Sequence, residues 1–251
     1  MNAQTVAPKV IRIADLSNAE FLQRHARAGC VGLAGGRTLV DVAIGRAQRH
    51  LNTTHKWSPW SHAFFFEGLR ADGQHWVIES DLQFHRKHIQ LGVQENRVSK
   101  YHDEQLYTRL AVLDFGLSDT QTAALVREGL ELVATHTRYS LRELVGTLLA
   151  LRHQKLRGES NVLARDRALF CSAMVRHIFE RAGVDLVPGV NVKNTAPDDL
   201  ARSPLLRTMH LLDSSESPTT LETVHRKLRA ARFKWRRAGK KLIRTARSSD
   251  S

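Results

Sequence analysis

A chain of 251 residues fits one medium domain, alone or with an appendage, and its apolar fraction of 42% suffices for a full hydrophobic core. No apolar run reaches the ~18 residues that a transmembrane helix needs, and residues 1–9 lack the basic and apolar segments of a secretory signal. The cytoplasm is therefore the expected location, although specialised secretion leaves no such signal.

The net charge of +13 is concentrated at one end of the chain. Residues 222–251 contain eleven Lys and Arg against Glu222 and Asp250, which is a balance of +9. The rest of the chain carries 27 basic and 23 acidic residues, a balance of only +4. The composition thus describes an ordinary body with a basic tail.

The first fifty residues predict two helices separated by a glycine-rich segment. Helical spacing of apolar residues covers residues 14–28 and again residues 38–51. The glycines between them, within residues 29–36, fit neither a P-loop nor a dinucleotide-binding pattern. We interpret that segment as turns.

The strongest β signal lies between residues 60 and 93. Residues 61–68 form a short aromatic run, residues 69–73 supply turn residues, and residues 75–80 form a second run rich in β-forming side chains. This pattern predicts a hairpin. Further strands near residues 89–93 and 110–115 would complete a small antiparallel sheet.

The second half of the body has a helical pattern. Ser118 or Asp119 is expected to cap a helix that runs to about residue 136, and residues 141–151 form a second helix. A third helix opens at Asp166 or Arg167, carries Cys171 and ends before Gly183. Residues 184–212 are interpreted as loop and short turns. The expected domains are a body at 1–212, a linker at 213–220 and a tail at 221–251.

Two cysteines, Cys30 and Cys171, are the only thiols of the chain. A buried structural thiol is the interpretation kept for Cys30. Cys171 is expected near the beginning of a helix, where the partial charge of unpaired amides stabilises a thiolate. Such a thiolate needs a base, and an imidazole base needs a group that orients it. His62 and Glu79 lie on the two strands of the predicted hairpin and can supply both. Spacing alone does not single out His62 among the thirteen histidines of the chain, and a buried structural thiol is the alternative for Cys171 as well.

Three short motifs resemble a known family. Residues 60–67 with His62, residues 76–80 with Glu79, and residues 169–175 with Cys171 are similar to the circularly permuted NlpC-type branch of the papain-like superfamily, nearest to its YiiX-like cysteine hydrolases. In that branch the histidine strand precedes the cysteine helix, as it does here. The segments 137–140 and 194–200 resemble two further conserved parts, so the resemblance spans roughly residues 25–206.

The resemblance implies an α+β fold of the permuted papain-like type, with a small antiparallel sheet packed against helices. Cys171 would be the nucleophile, His62 the base and Glu79 the residue that orients it, while the backbone amide of Cys171 would bind the oxyanion. Expected substrate-binding residues are Trp60, Phe170 and Tyr139. Phe170 departs from the tyrosine that is common at its position, which leaves a less polar neighbourhood around the thiol.

The resemblance also limits the partners and cofactors. It implies attack on an amide, peptide or N-acyl bond, with a peptide, a peptidoglycan-like molecule or a lipid as substrate. No cofactor is implied, and no metal site is expected, because no other ligand cluster accompanies the closely spaced His85 and His88. Acidic residues at 198–199 fit the first turn of a helix after Pro197 rather than a cation site.

The basic tail predicts an amphipathic helix. Apolar residues from Leu221 to Leu242 alternate at intervals of three and four, which gives one narrow stripe with Trp235 on it. This pattern suits an anionic membrane surface, with nucleic acid as a less favoured partner and a helix docked on the body as an alternative. The residues expected to make such contacts are Arg232, Lys234, Trp235, Arg236, Arg237, Lys240 and Lys241.

Two other functions remain open on the sequence alone. A lipid-directed thiol acyltransferase or esterase at a membrane would use the same thiol chemistry with a different acceptor. A binding module would use the tail to grip lipid or nucleic acid and would leave the papain-like body inert.

Overall fold

A computed structural model describes residues 8–51, 55–85, 88–135, 157 and 170–212, with the backbone alone at 81–85 and 88–91. All of them belong to the unit Met1–Asp213. Seven strands form one mixed sheet in the order β1-β7-β6-β2-β3-β4-β5. Their bounds are β1 Lys9–Ile13, β2 Val31–Gly36, β3 His62–Leu69, β4 His75–His85, β5 His88–Arg97, β6 Tyr107–Asp114 and β7 Thr208–Leu212.

The hairpin and the two strands that follow it are confirmed. β3, β4 and β5 pair antiparallel in succession, and β6 pairs antiparallel with β2 in the interior of the sheet. The predicted turn closes through a hydrogen bond from the Gly73 amide to the Arg70 carbonyl, at 2.9 Å. The α+β class expected from the sequence is therefore present. The expectation of a small, wholly antiparallel sheet is wrong, because the sheet has seven strands instead of the four predicted and β1 pairs parallel with β7.

The interpretation of residues 29–36 as turns is wrong, because Val31–Gly36 is β2 and lies between β3 and β6. A glycine occurs in this strand because of how the side chains of the neighbouring strand pack. Gly32 pairs with Phe64 of β3, and a Cβ at Gly32 would overlap the Phe64 ring. The small residue thus makes room for an aromatic ring on the neighbouring strand.

The interpretation of residues 184–212 as loop and short turns is also wrong in part. A short helix covers Pro197–Ala201, and β7 lies between β1 and β6, parallel to the former and antiparallel to the latter. The partner of β7 in parallel pairing, β1, comes from the other end of the body. No local pattern reveals a strand whose neighbours are that distant in sequence.

Helices cover both faces of the sheet. We number them α1 Asn18–His25, α2 Leu39–Ala47, α3 Asp119–Ala134, α4 Cys171–Arg181 and α5 Pro197–Ala201. Ser118 caps α3 as predicted, and Gly183 follows α4 with a positive φ of 79°. The described part of α4 begins at Cys171 rather than at residue 166 or 167, with Phe170 as its N-cap. The predicted helix at 141–151 lies outside the described residues.

The side chains of the strands alternate between two hydrophobic clusters. Phe65 and Ile78 point to one face, where they pack in a cluster with Met174 and Ile178 of α4. Phe64 and Val77 point to the other face, and their cluster includes Phe21 of α1. This alternation decides which face each polar side chain of β3 and β4 can reach.

We expect Gly32→Ala to lower the free energy of unfolding by about 2 kcal/mol, because the added methyl group must displace the buried Phe64 ring. Urea denaturation measures this loss. Adding Phe64→Leu should restore part of the stability in the double variant. Gly73→Ala is the comparison, since that glycine has open space around it and only a φ of 73° to strain. A smaller loss at Gly32 than at Gly73 would contradict this packing role.

Candidate active site

A buried histidine–carboxylate pair lies on β3 and β4. His62 is the first residue of β3, and its Nε2 is 2.8 Å from Oε2 of Glu79. The Glu79 side chain is fully buried, whereas that of His62 is 15% exposed. The contact predicted across the hairpin is therefore present, with the buried carboxylate behind a histidine that reaches the surface.

Glu79 receives three more hydrogen bonds. Its Oε1 accepts from Asn96 Nδ2 and from Lys100 Nζ, each at 2.7 Å. Its Oε2 accepts from the Tyr101 hydroxyl at 2.5 Å. Asn96 lies on β5, and the other two donors lie in the 3₁₀ helix Val98–His102 that follows it. Four donors from three elements therefore surround one carboxylate, which meets the requirement that a buried charge be paired.

This environment determines the charge of Glu79. Burial by itself would raise the pKa of the carboxyl group, but the hydrogen bond from His62 and the positive charge of Lys100 outweigh it. The pKa of Glu79 consequently lies well below its ordinary value of 4.5. An ionised Glu79 fixes the orientation and tautomer of the His62 ring, since Nε2 must carry the proton that it shares.

Cys171 occupies the first position of α4. Its side chain is 8% exposed, and the Phe170 N-cap supplies no side-chain hydrogen bond to the helix. The next residue, Ser172, donates from its hydroxyl to the Thr195 carbonyl at 2.7 Å, which ties this end of the helix to the segment before α5. The thiol thus lies at the positive end of a helix whose first turn is held from outside.

The helix of Cys171 packs against β3 and β4, the two strands that carry His62 and Glu79. Cys171 belongs to the hydrophobic cluster around Phe65, whereas the ring of His62 lies over Phe64, on the other cluster's face, with ring centroids 6.2 Å apart. Among the residues that the structure describes, no hydrogen bond joins the thiol to the His62 ring. The structure therefore brings His62 and Glu79 together and places Cys171 on an adjoining element.

A polar network that the sequence did not reveal fixes the segment before His62. Gln48 is fully buried, donates from Nε2 to the Trp60 carbonyl at 2.7 Å and accepts from the Asp198 amide at 2.8 Å. Ser58 donates to the Asp198 carboxylate at 3.0 Å. These bonds join the end of α2, the approach to β3 and the beginning of α5. Residues so distant in sequence share no local signal.

The predicted substrate-binding residues are in different places. Trp60 and Phe170 are 5% and 1% exposed and belong to the same hydrophobic cluster as Cys171. Their burial favours a packing role near the thiol, and their contact with substrate stays a prediction. Tyr139 lies outside the described residues, as do the tail positions Arg232, Lys234, Trp235, Arg236, Arg237, Lys240 and Lys241.

The other acidic and histidine positions agree with structural roles. Asp199 accepts a hydrogen bond from the Ala196 amide at 2.8 Å in the first turn of α5. Burial raises the pKa of Asp199 even though Arg157 lies against it. His85 and His88 pair across the end of the β4–β5 ladder. Within the described ranges, no three His, Cys, Asp or Glu side chains are grouped so that they could hold a metal ion.

The fold and the site define a mixed α+β protein with a buried histidine–glutamate pair beside a helix that begins with cysteine. The fold is similar to the solved structure of the metalloprotein YiiX from Escherichia coli O157:H7. That similarity has a TM-score of 0.49 at 15% sequence identity, and it covers 77% of this chain and 99% of that one. No protein-family model and no curated protein matches the sequence. None of the described helices is long and apolar enough to cross a membrane.

Replacing Glu79 with glutamine should change how stability depends on pH. Because the pKa of Glu79 is lower in the folded than in the unfolded chain, its stabilisation is present above pH 4.5 and is lost as the pH falls. We therefore expect the free energy of unfolding of the wild type to decrease below this pH by up to about 1.4 kcal/mol per pH unit more than that of Glu79→Gln. Urea denaturation at a series of acidic pH values measures both slopes.

Glu67→Gln is the matched control, because Glu67 lies on β3 and burial raises its pKa. Removing a carboxyl group of that kind should leave the acid-induced loss in place. Equal slopes for the wild type and Glu79→Gln would show that the Glu79 carboxylate is not held ionised by its donors.

Proposed function

We propose that this protein is a cysteine-dependent hydrolase that attacks an amide or ester carbonyl through Cys171, His62 and Glu79. The observation that carries the proposal is the buried hydrogen bond between His62 and Glu79 on the strands against which the Cys171 helix packs. An orienting carboxylate, an imidazole and a thiol at a helix N-terminus are the three parts that such chemistry requires.

The hydrogen bond to Glu79 decides which nitrogen of His62 carries a proton in the neutral ring. Because Nε2 shares its proton with Glu79, Nδ1 is the ring nitrogen proposed to take the thiol proton. The Cys171 sulfur then forms a bond to the carbonyl carbon, and the leaving amine or alcohol departs with that proton. Water, activated in turn by His62, hydrolyses the acyl-enzyme and restores the thiol. Backbone amides in the first turn of α4 supply the oxyanion donors.

The proposal requires the Cys171 thiol and the His62 ring to meet. Cys171 packs in the cluster of one face of the sheet, and the ring of His62 lies toward the other. Because His62 is the first residue of β3, the end of that strand is the place where the two groups are proposed to meet. Hydrogen bonds at catalytic sites without substrate are often long and tighten when substrate binds.

Chain order supports a permuted papain-like class for this enzyme. The histidine strand comes first, the glutamate strand second and the cysteine helix last, in the order of the NlpC-type branch that the motifs resemble. The acyl group is proposed to belong to a peptide, a peptidoglycan-like molecule or a lipid, with an acyltransferase as the variant in which an amine or alcohol replaces water.

Alkylation of the two cysteines tests the nucleophile without a known substrate. Cys30 and Cys171 are both buried, at 7% and 8% exposure, so the overall exposure of the residue favours neither thiol. Burial raises the pKa of Cys30 to about 12, which keeps that thiol protonated. We expect iodoacetamide to modify Cys171 about 100-fold faster than Cys30. In His62→Gln, the rate of Cys171 modification should be about tenfold lower than in the wild type. Mass spectrometry of the peptides measures both sites in one sample.

The same variants test turnover with p-nitrophenyl acetate. A stoichiometric burst of p-nitrophenol, followed by slower release, is expected in the wild type and in Cys30→Ala and is expected to vanish in Cys171→Ala. His62→Gln should slow the burst at least about 100-fold. Equal alkylation of both thiols, or a burst that survives Cys171→Ala, would refute the proposed nucleophile.

The basic tail is proposed to bring the enzyme to an anionic membrane surface. Its stripe of apolar residues with basic residues on the other faces has the pattern of an interfacial helix. Replacing four basic residues in the full chain should lower binding to phosphatidylserine vesicles at least about tenfold. The residues to be replaced by glutamine are Arg232, Lys234, Arg236 and Arg237.

Sedimentation with vesicles measures that binding, and phosphatidylcholine vesicles serve as the control surface. The wild-type affinity should fall as salt is added, since the attraction is screened. Unchanged vesicle binding in the variant would contradict the membrane role. So would a wild-type protein that does not bind vesicles but binds DNA, if the same substitutions abolish the DNA binding.

A further inference from the structure

A polar cavity lies at the end of the sheet opposite His62. It is half-enclosed and has a volume of about 390 Å³. His62 pairs with Ala34 toward one end of β2, whereas Cys30, which lines the cavity, directly precedes the other end. Its polar lining comes from the end of α1 and the residues that follow it, the end of β6, the first turn of α3 and the middle of β7. It consists of Arg24, His25, Arg27, Asp114, Thr122 and His210.

Positive charge predominates in this cavity. Arg24 and Arg27 stand at its exposed rim, and neither guanidinium forms an ion pair with any described residue. Among the described residues of the lining, the only carboxylate is that of Asp114, whose Oδ1 already accepts a hydrogen bond from the Gly116 amide at 2.7 Å. Two arginines against one engaged carboxylate leave the cavity with an excess of positive charge before any histidine is protonated.

Two histidines are stacked inside the same cavity. The rings of His25 and His210 have centroids 4.3 Å apart and are inclined by 25°. Burial lowers the pKa of His25, and His210, Arg27 and Arg24 lower it further. Burial also lowers the pKa of His210, where Asp114 acts in the opposite direction and Arg27 and Lys9 act in the same one. A bound anion would offset these repulsions and favour the protonated rings.

Neither a reactive thiol nor a metal site accounts for the polar lining of this cavity. Burial and the carboxylate of Asp114 raise the pKa of Cys30 to about 12, so the thiol is neutral and unreactive there. The described residues contain no His, Cys, Asp or Glu group able to hold a metal ion, here or elsewhere. The cavity therefore offers cations and hydrogen-bond donors to a ligand and lacks the features of a metal site or a second thiol centre.

We propose that this cavity binds a small oxyanion of the phosphate type, free or as part of a larger molecule. Arg24 and Arg27 hold its charge at the rim, and His25 and His210 donate to it from within. The site is separate from the proposed thiol chemistry, which does not use any of these side chains, so either proposal can fail without the other.

An apolar trough adjoins the cavity and suggests how the two sources of phosphate can be told apart. The trough runs along α3, and it shares Ala28 and Thr122 with the cavity. Its apolar lining is formed by Ala28, Ala123, Val126 and Leu130. A phosphate monoester with an alkyl chain would place its head in the cavity and its chain in the trough.

Calorimetric titration of the full chain with sulfate tests the anion site. Sulfate keeps its two charges from pH 5.5 to 8, so any pH dependence of its affinity belongs to the protein. We expect affinity to rise about fivefold as the pH falls across this range, because His25 and His210 take up protons with the anion. Arg24→Gln and Arg27→Gln should each weaken binding about tenfold.

Arg109→Gln is the control for net charge. It removes another exposed arginine, near the other end of β6, and should leave the sulfate affinity unchanged. Thermal denaturation without sulfate checks that all three variants stay folded. The proposal would be overturned if sulfate showed no saturable binding at millimolar concentrations. It would also be overturned if all three variants lost the same amount of sulfate affinity.

Octyl phosphate and inorganic phosphate distinguish the sources of the anion. Binding of octyl phosphate about tenfold tighter, with that gain lost in Leu130→Ser, assigns the site to the headgroup of an amphiphile. Equal affinities that both fall in Arg27→Gln assign it to a free phosphate. If the affinities for octyl phosphate and inorganic phosphate are unchanged in Arg27→Gln, both assignments are excluded.

Discussion

The ionised carboxylate of Glu79 is the constraint on which the candidate site depends. A fully buried charge is tolerated only when its lone pairs are satisfied, and here four donors satisfy them. Lys100 compensates the charge, Tyr101 and Asn96 complete the hydrogen bonds, and His62, whose side chain is 15% exposed, carries the network toward the surface. The direction of the His62 ring is thus a consequence of an electrostatic requirement inside the protein.

The sheet supplies the positions that this requirement uses. Glu79 and Val77 point to the same face of β4, and the pairing of β4 with β5 brings Asn96 and the following 3₁₀ helix to the carboxylate. On the opposite face, Phe65 and Ile78 form the surface on which the Cys171 helix packs. One hairpin therefore anchors His62 on one face and the helix of Cys171 on the other.

Much of this hairpin could be predicted from local sequence, because two runs of β-forming residues flank a turn with Gly73. The contact between His62 and Glu79 required in addition that both side chains point to the same face of the hairpin. β2 could not be predicted, since Gly32 weakens the strand pattern. A glycine is needed there because a larger side chain would overlap the Phe64 ring on β3. Gln48 and Asp198 meet only in the folded chain, so no spacing could reveal that they hold the segment before His62.

The position of β7 has a consequence for the order in which the molecule can assemble. β1 begins at Lys9, but its described strand partner, β7, ends at Leu212. During synthesis β1 emerges before the other strands described here. It can pair with β7 only after nearly all of the body has been synthesised. Such distant pairing makes closure of the sheet slow, and it leaves the edge of β6 exposed in a nascent chain until residues 208–212 arrive.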